Sequence, residues 1–166
     1  MTGEQASALV HATAIELRCG EASAGVLLTG PPGSGKSSVA FALIDQPGHG
    51  LCPAGPVRAR LVSDDQVRLM QEGPGIVMTP PAGLAGLLEV RGIGIVRHDN
   101  CCASARLAFV VDHQPAAQQQ RLPEAATTGL LDLPFPLYRA DFAAAGAAGR
   151  IRLLAQLHWG QLGLHG

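Results

Sequence analysis

The chain has 166 residues and carries 12 Lys and Arg against 13 Asp and Glu, a formal charge of −1. That balance lacks the basic footprint expected of a nucleic-acid or anionic-membrane binder, and no apolar run approaches the ~18 residues of a membrane span. An apolar share of 47% suffices for a packed core and argues against wholesale disorder.

Met1–Val10 carries Glu4 and no basic residue, so it lacks the charged-then-apolar form of a secretion signal, and a cytoplasmic location is expected. The cysteines, Cys19, Cys52, Cys101 and Cys102, form no C-x-x-C pair and read as free thiols in a reducing compartment. Leu9–Leu17 reads as one strand and Gly25–Thr29 as a second, buried one. Gly30–Gly35 holds three glycines and two prolines and is a loop, and Ser37–Ile44 reads as a helix. Gln46–Val57 is rich in turn formers and reads as a surface excursion. Short strands are expected at Arg60–Val62, Gln66–Met70, Ile76–Met78 and Arg106–Val111, and an amphipathic helix at Gly149–Trp159. Pro134 and Pro136 oppose a helix around Phe135. The order strand, glycine loop, helix, then many short strands predicts an α/β fold: a P-loop nucleotide-binding core with a mixed β-sheet and a strand-rich second half.

Gly30-Pro31-Pro32-Gly33-Ser34-Gly35-Lys36-Ser37 fits G-x-x-x-x-G-K-[ST] at every fixed position. Glycines let the backbone approach an anion closely, and successive N–H groups then cradle phosphate oxygens at a helix N-terminus. Gly30, Gly33, Ser34, Gly35, Lys36 and Ser37 are therefore the candidate nucleotide-binding residues, with the Ser37 hydroxyl placed to ligate Mg²⁺. Lys36 is the only lysine among twelve basic residues, and it falls where the loop demands a compact ammonium rather than a forked guanidinium.

Asp64 and Asp65 follow an apolar triplet at the end of an expected strand. Adjacent carboxylates repel, so they mark either a cation or proton site or an acidic turn capping the strand. Glu89 and Arg91 interrupt the apolar stretch 84–96. They either line the nucleotide site, Glu89 toward Mg²⁺ and Arg91 toward phosphate, or pair with each other on a solvated face.

Three segments together resemble HPr kinase/phosphorylase, which phosphorylates a serine of the phosphocarrier protein HPr. They are GPPGSGKS (30–37), LVSDDQV (61–67) and LLEVRGIGIV (87–96), the last similar to that family's signature. Weaker matches flank them at Val10–Thr13 and at Arg121-Leu122. The resemblance implies ATP and Mg²⁺ as cofactors, HPr as partner, no nucleic acid or membrane, and a homo-oligomer, typically a hexamer. It implies a single catalytic domain over residues 1–166, like the short proteobacterial form. Position by position it makes Asp64 the general base, and the general acid in the reverse phosphorylase reaction. Asp65 would support the metal shell and orient His11, while Ser37 and Glu89 would ligate Mg²⁺. Arg91 would contact phosphate, and Arg121 would stabilise the transferring phosphoryl group. The chain departs from the family at Ala12, where glycine is usual, at Ser38, where an acidic residue is common, and in the longer Gln46–Val57 connection.

Two other functions fit a P-loop. A small-metabolite kinase needs a mobile lid bearing arginines, and the only candidate lid, Gln46–Val57, has none. The other is a nucleotide-responsive regulator that no longer turns over, against which the carboxylates at 64, 65 and 89 argue.

Overall fold

The computed structural model describes residues 5–52 and 54–165. Within them run β1 (Ser7–His11), β2 (Thr13–Cys19), β3 (Ala22–Thr29), α1 (Lys36–Asp45), β4 (Arg58–Ser63), β5 (Gln66–Glu72) and β6 (Gly75–Thr79). A hairpin of β7 (Leu87–Val90) and β8 (Gly94–Arg97) follows, then β9 (Ala105–His113), β10 (Ala126–Leu130), β11 (Leu133–Ala140) and α2 (Ala147–His158). The expected α/β class, loop and both helices are present. Residues 1–4 lie outside the described residues, and with them part of the N-terminal segment read above.

Nine of these strands form one curled sheet in the order β1-β5-β6-β9-β3-β2-β4, with β11 also on β9 and β10 on β11. The sheet is mixed. β3 and β11 run parallel to β9, and the remaining pairs are antiparallel. β9 is shared at one edge: its start, Ala105 and Arg106, pairs with β6, and its end, Val110–His113, pairs with β11.

Two cores result. On one face Ile15, Leu17, Val26, Leu28 and Phe109 pack under Val39 and Leu43 of α1 and Ile151 and Ala155 of α2. On the other, Ala14, Leu27, Leu69, Ile76, Met78 and Val110 fill the inside of the curl. Full burial of each large side chain stabilises the fold by about 1.5–3 kcal/mol. The β3–β9 register shifts between Gly25↔Leu107 and Val26↔Phe109, so Ala108 is an extra residue on β9. That bulge sends Leu107 to the inner core and Phe109 to the helix side. Gly25 is obligatory beside it, because a Cβ there would lie 2.3 Å from the Arg106 carbonyl oxygen.

The single strand expected over Leu9–Leu17 is two strands broken at Ala12. β1 pairs with β5, whereas β2 pairs with β3 and β4. The chain turns the same corner a second time between β4 and β5, over Asp64 and Asp65, and the two corners are tied by the Ala12 N–H to the Asp65 carbonyl at 3.2 Å. β10 and β11 carry no strand signal that survives Pro134 and Pro136. Their pairing comes from β11 docking on the end of β9.

The excursion at Gln46–Val57 is irregular, as expected, but it is fastened. Gly48 and Val57 form a bridge, Arg152 donates to the Gln46 carbonyl, and the fully buried Gln156 amide donates to the His49 carbonyl at 2.9 Å. Helix α2, amphipathic as its sequence predicts, supplies both clamps.

Candidate active site

The P-loop leaves β3 at Gly30 and enters α1 at Lys36. Gly30, Gly33 and Gly35 all take positive φ (144°, 78° and 98°). Only glycine does this without strain, and the result is a loop wrapped around the helix N-terminus. The loop is held from beneath: His113 and Phe142 lie against Gly30 and Gly35, the Phe142 N–H donates to His113 Nδ1, and Thr29 donates to Asp112 at 2.7 Å.

Lys36 is buried, and its ammonium donates to the carbonyls of Gly30 (2.8 Å) and Pro31 (3.1 Å). Burial lowers its pKa below the usual lysine value, opposed by the negative charges of Asp64 and Asp65.

The corner between β4 and β5 splits the two aspartates. Asp64 turns inward and is buried. Its Oδ1 accepts from Ser37 Oγ (2.8 Å) and Thr13 Oγ1 (2.7 Å), and its Oδ2 accepts from the backbone N–H of Glu89 (3.1 Å). Asp65 takes φ 67° and turns outward, where its Oδ1 meets His11 Nδ1 at 3.2 Å. The strained backbone at Asp65 is a cost sustained by the turn it completes.

These pieces border one cleft of about 320 Å³, lined by His11, Thr13, Lys36, Ser37, Asp65, Glu89 and Arg91 together with Pro32, Gly33, Gly35 and Ser38. Of the residues singled out from sequence, the structure brings together Gly33, Gly35, Lys36, Ser37, Asp65, Glu89, Arg91 and His11, with Asp64 directly behind Ser37. Arg91 reaches across the loop crest, 3.5 Å from where a Cβ on Gly33 would stand. Arg121 is exposed after the short 3-10 turn at Ala116–Gln118 and does not line the cleft.

Thr13 and the Glu89 amide escaped sequence reasoning. Thr13 stands two residues after His11, just past the break at Ala12, and once that break is known the alternation of β2 aims it at Asp64.

Phosphate and magnesium fit these residues. The Ser34 hydroxyl is buried without a partner in the loop, as suits a group awaiting an anion. No three His, Cys, Asp or Glu side chains cluster as ligands among the described residues. Magnesium commonly keeps several waters and binds through one or two carboxylates plus substrate phosphates. Ser37 and the carboxylates beside it supply a set of that kind.

Comparison with known proteins gives the family and the fold. A family model described as HPr Serine kinase C-terminal domain matches residues 5–105. HPr kinase/phosphorylase of Xylella fastidiosa (strain 9a5c) is 34% identical over 129 residues, covering 69% of this chain and 37% of that protein. The protein of the same name from Burkholderia cenocepacia (strain HI2424) is 36% identical over 131 residues, 72% of this chain and 37% of its own length. The chain thus spans little more than a third of the curated relatives it matches. The solved structure of the Hpr(Ser) kinase/phosphatase from Coxiella burnetii superposes with a TM-score of 0.73 at 23% identity, covering 93% of this chain and 97% of that one, and establishes the shared fold. Among the described residues no helix is long and apolar enough to cross a membrane. With the family model matched through the P-loop, the aspartate corner and the 87–96 hairpin, the chain belongs to the HPr serine kinase C-terminal domain family.

Proposed function

We propose that this chain is a single phosphoryl-transfer domain of an ATP- and Mg²⁺-dependent serine kinase, with the phosphocarrier protein HPr as acceptor. The observation that carries the reading is the Ser37–Asp64 contact, with Lys36 on one side of it and the Asp65–His11 pair on the other. A phosphate-binding end and a proton-handling end then share one cleft.

Bound Mg·ATP supplies the transferable phosphoryl group and the metal's positive charge. The amides of Gly30–Lys36 would cradle the phosphates, the Lys36 ammonium, now on the Gly30 and Pro31 carbonyls, would reach phosphate oxygens, and Arg91 at the crest would add a second positive charge. Ser37 and Glu89 would hold the metal, and Asp64 fixes Ser37 in place. Such chemistry needs positioning and charge stabilisation more than covalent assistance.

The resemblance implies Asp64 as the base; the side chain that the cleft leaves open for proton transfer is Asp65, and this reading assigns the step to it. Asp64 is buried behind Ser37, with both oxygens engaged by Thr13, Ser37 and the Glu89 N–H, which leaves it no open side toward an acceptor hydroxyl. Asp65 faces the cleft, and His11 steadies it to take the proton of the serine hydroxyl. In the reverse, phosphorylase direction the same carboxyl returns it. Arg121 has no part in the cleft as it stands.

The acceptor is a protein rather than a small metabolite on two grounds. The excursion that could have served as a lid is clamped by α2, and the 87–96 hairpin beside the cleft leaves Ile93 78% and Ile95 73% exposed, apolar surface that a protein acceptor would cover.

The test is incubation with Mg·ATP and purified HPr, followed by mass spectrometry for phosphoserine. A single phosphoserine on HPr is expected. Unmodified HPr with a phosphorylated hydroxy-metabolite would replace this reading by a metabolite kinase. Nucleotide binding with neither product would make the protein a non-catalytic regulator.

A further inference from the structure

Three parallel strands end side by side beneath the phosphate loop. Thr29, the last residue of β3, pairs with Asp112 of β9, and Ala140, the last of β11, pairs with His113, the last of β9. β9 therefore stands between two strands with different continuations. β3 runs on into the phosphate loop, and β11 runs on into Asp141 and Phe142. His113 touches both.

Toward the loop, the His113 Cβ would stand 2.7 Å from a Cβ on Gly30. Toward the other segment, His113 Nδ1 accepts from the Phe142 N–H at 3.3 Å, and the two rings lie 5.3 Å apart. Accepting at Nδ1 requires the neutral imidazole with its proton on Nε2. Phe142 is buried and supports the far end of the loop: a Cβ on Gly35 would stand 3.2 Å from the Phe142 Cβ and 3.5 Å from its carbonyl. The Phe142 segment is itself braced. Asp141 accepts from the N–H groups of Ala116 and Ala143, each at 3.0 Å, and the Gln114 N–H donates to the Ala140 carbonyl at 3.0 Å. One imidazole thus joins the prop under Gly30 to the prop under Gly35. Lys36 also ties Gly30 to the start of α1, but its ammonium is the group that phosphates compete for, so the support from beneath is the tie that outlasts binding.

We propose that His113 is a positioning residue for the nucleotide. Its bond to Phe142 holds Gly30 and Gly35, the two ends of the cradle, at a fixed separation before the phosphates arrive. Pre-organisation of this kind raises affinity by removing an ordering cost from the binding step. The inference rests on the phosphate loop binding Mg·ATP, and it is independent of which acceptor receives the phosphoryl group.

The experiment compares calorimetric Mg·ATP binding by the parent chain, His113→Leu and His113→Asn. Leucine fills the space of the ring without an acceptor, and asparagine keeps one, its Oδ1, near the place of Nδ1. His113→Leu should weaken binding about three- to tenfold, the worth of one hydrogen bond, and His113→Asn should recover most of that loss. A second measurement needs no variant. If the bond favours nucleotide, nucleotide must favour the bond to the same extent, so Mg·ATP should slow hydrogen exchange at the Phe142 amide of the parent. Parent-level affinity in His113→Leu, equal weakening in both variants, or Phe142 exchange indifferent to Mg·ATP would each overturn the inference while leaving nucleotide binding intact. A parent chain that binds no Mg·ATP overturns the nucleotide reading itself, and this inference with it.

Discussion

Ser37 donates a hydrogen bond to Asp64 across 2.8 Å, while the very next carboxylate, Asp65, turns outward and meets His11. The two aspartates therefore fail differently. Asp64→Asn places an amide NH₂ among three donors, from Thr13, Ser37 and Glu89. It should cost about 1–3 kcal/mol of stability and weaken Mg²⁺-dependent nucleotide binding. Asp65→Asn should leave Mg·ATP affinity unchanged and lower single-turnover phosphoryl transfer by about 10²- to 10⁴-fold. Calorimetric Mg·ATP binding and rapid-quench transfer on both variants separate the roles. Full transfer by Asp65→Asn would return the base to Asp64.

Lys36 should make nucleotide binding take up protons under alkaline conditions. Burial lowers its pKa in the free protein, so its ammonium is lost below the pH at which an unfolded lysine loses it. A polyphosphate favours the charged form and raises that pKa again. Between the two values, binding must be accompanied by protonation of Lys36. The same shift makes its contribution to stability rise with pH between its folded pKa and the ordinary lysine value, because the unfolded chain binds more protons there. Calorimetry of Mg·ATP binding in buffers of different ionisation heat should show proton uptake that disappears in Lys36→Ala.

Gly25→Ala tests the bulge that divides the two cores. The new methyl would lie 2.3 Å from the Arg106 carbonyl oxygen and 2.8 Å from the Met78 methyl. The first neighbour is backbone and cannot rotate aside, so β3 and β9 must separate. A loss of about 3 kcal/mol or more is expected, within the range of severe overpacking, measured by denaturant unfolding. Gly129→Ala, with open space around it, is the control and should change stability by less than about 0.5 kcal/mol.

The phosphate loop was legible because its chemistry is local. Gly30, Gly33 and Gly35 need positive φ within a few residues of one another, and the sequence spells that directly. The division of the aspartates was not, because Asp64 and Asp65 are neighbours in the chain and separated only by a φ of 67°. That torsion is imposed by a corner that also breaks the chain at Ala12. The tie between corners spans more than fifty residues of sequence, beyond any periodic pattern. β10 and β11 were hidden for a related reason. Pro134 and Pro136 remove backbone donors, and the segment is a strand only because the end of β9, left free by β6, gives it an edge to join.

The excursion after α1 offers a last test, since a clamp and a lid predict opposite behaviour. Gln156 is fully buried, donates to the His49 carbonyl at 2.9 Å and accepts from the Leu51 N–H at 3.3 Å. Gly50 lies between those residues at φ 60°, where a Cβ would overlap the Gln156 side chain. Gln156→Ala removes both bonds and leaves a cavity under the loop. It should lower stability by about 1–3 kcal/mol, equivalent to a melting-temperature drop of about 2–4 °C per kcal/mol at this chain length. Proteolysis at residues 46–52 should accelerate, while Mg·ATP affinity and transfer at low temperature stay at the parent level. Were the excursion a lid over the acceptor, freeing it would instead change kcat and KM together, and a steady-state comparison of the variant with its parent distinguishes the two.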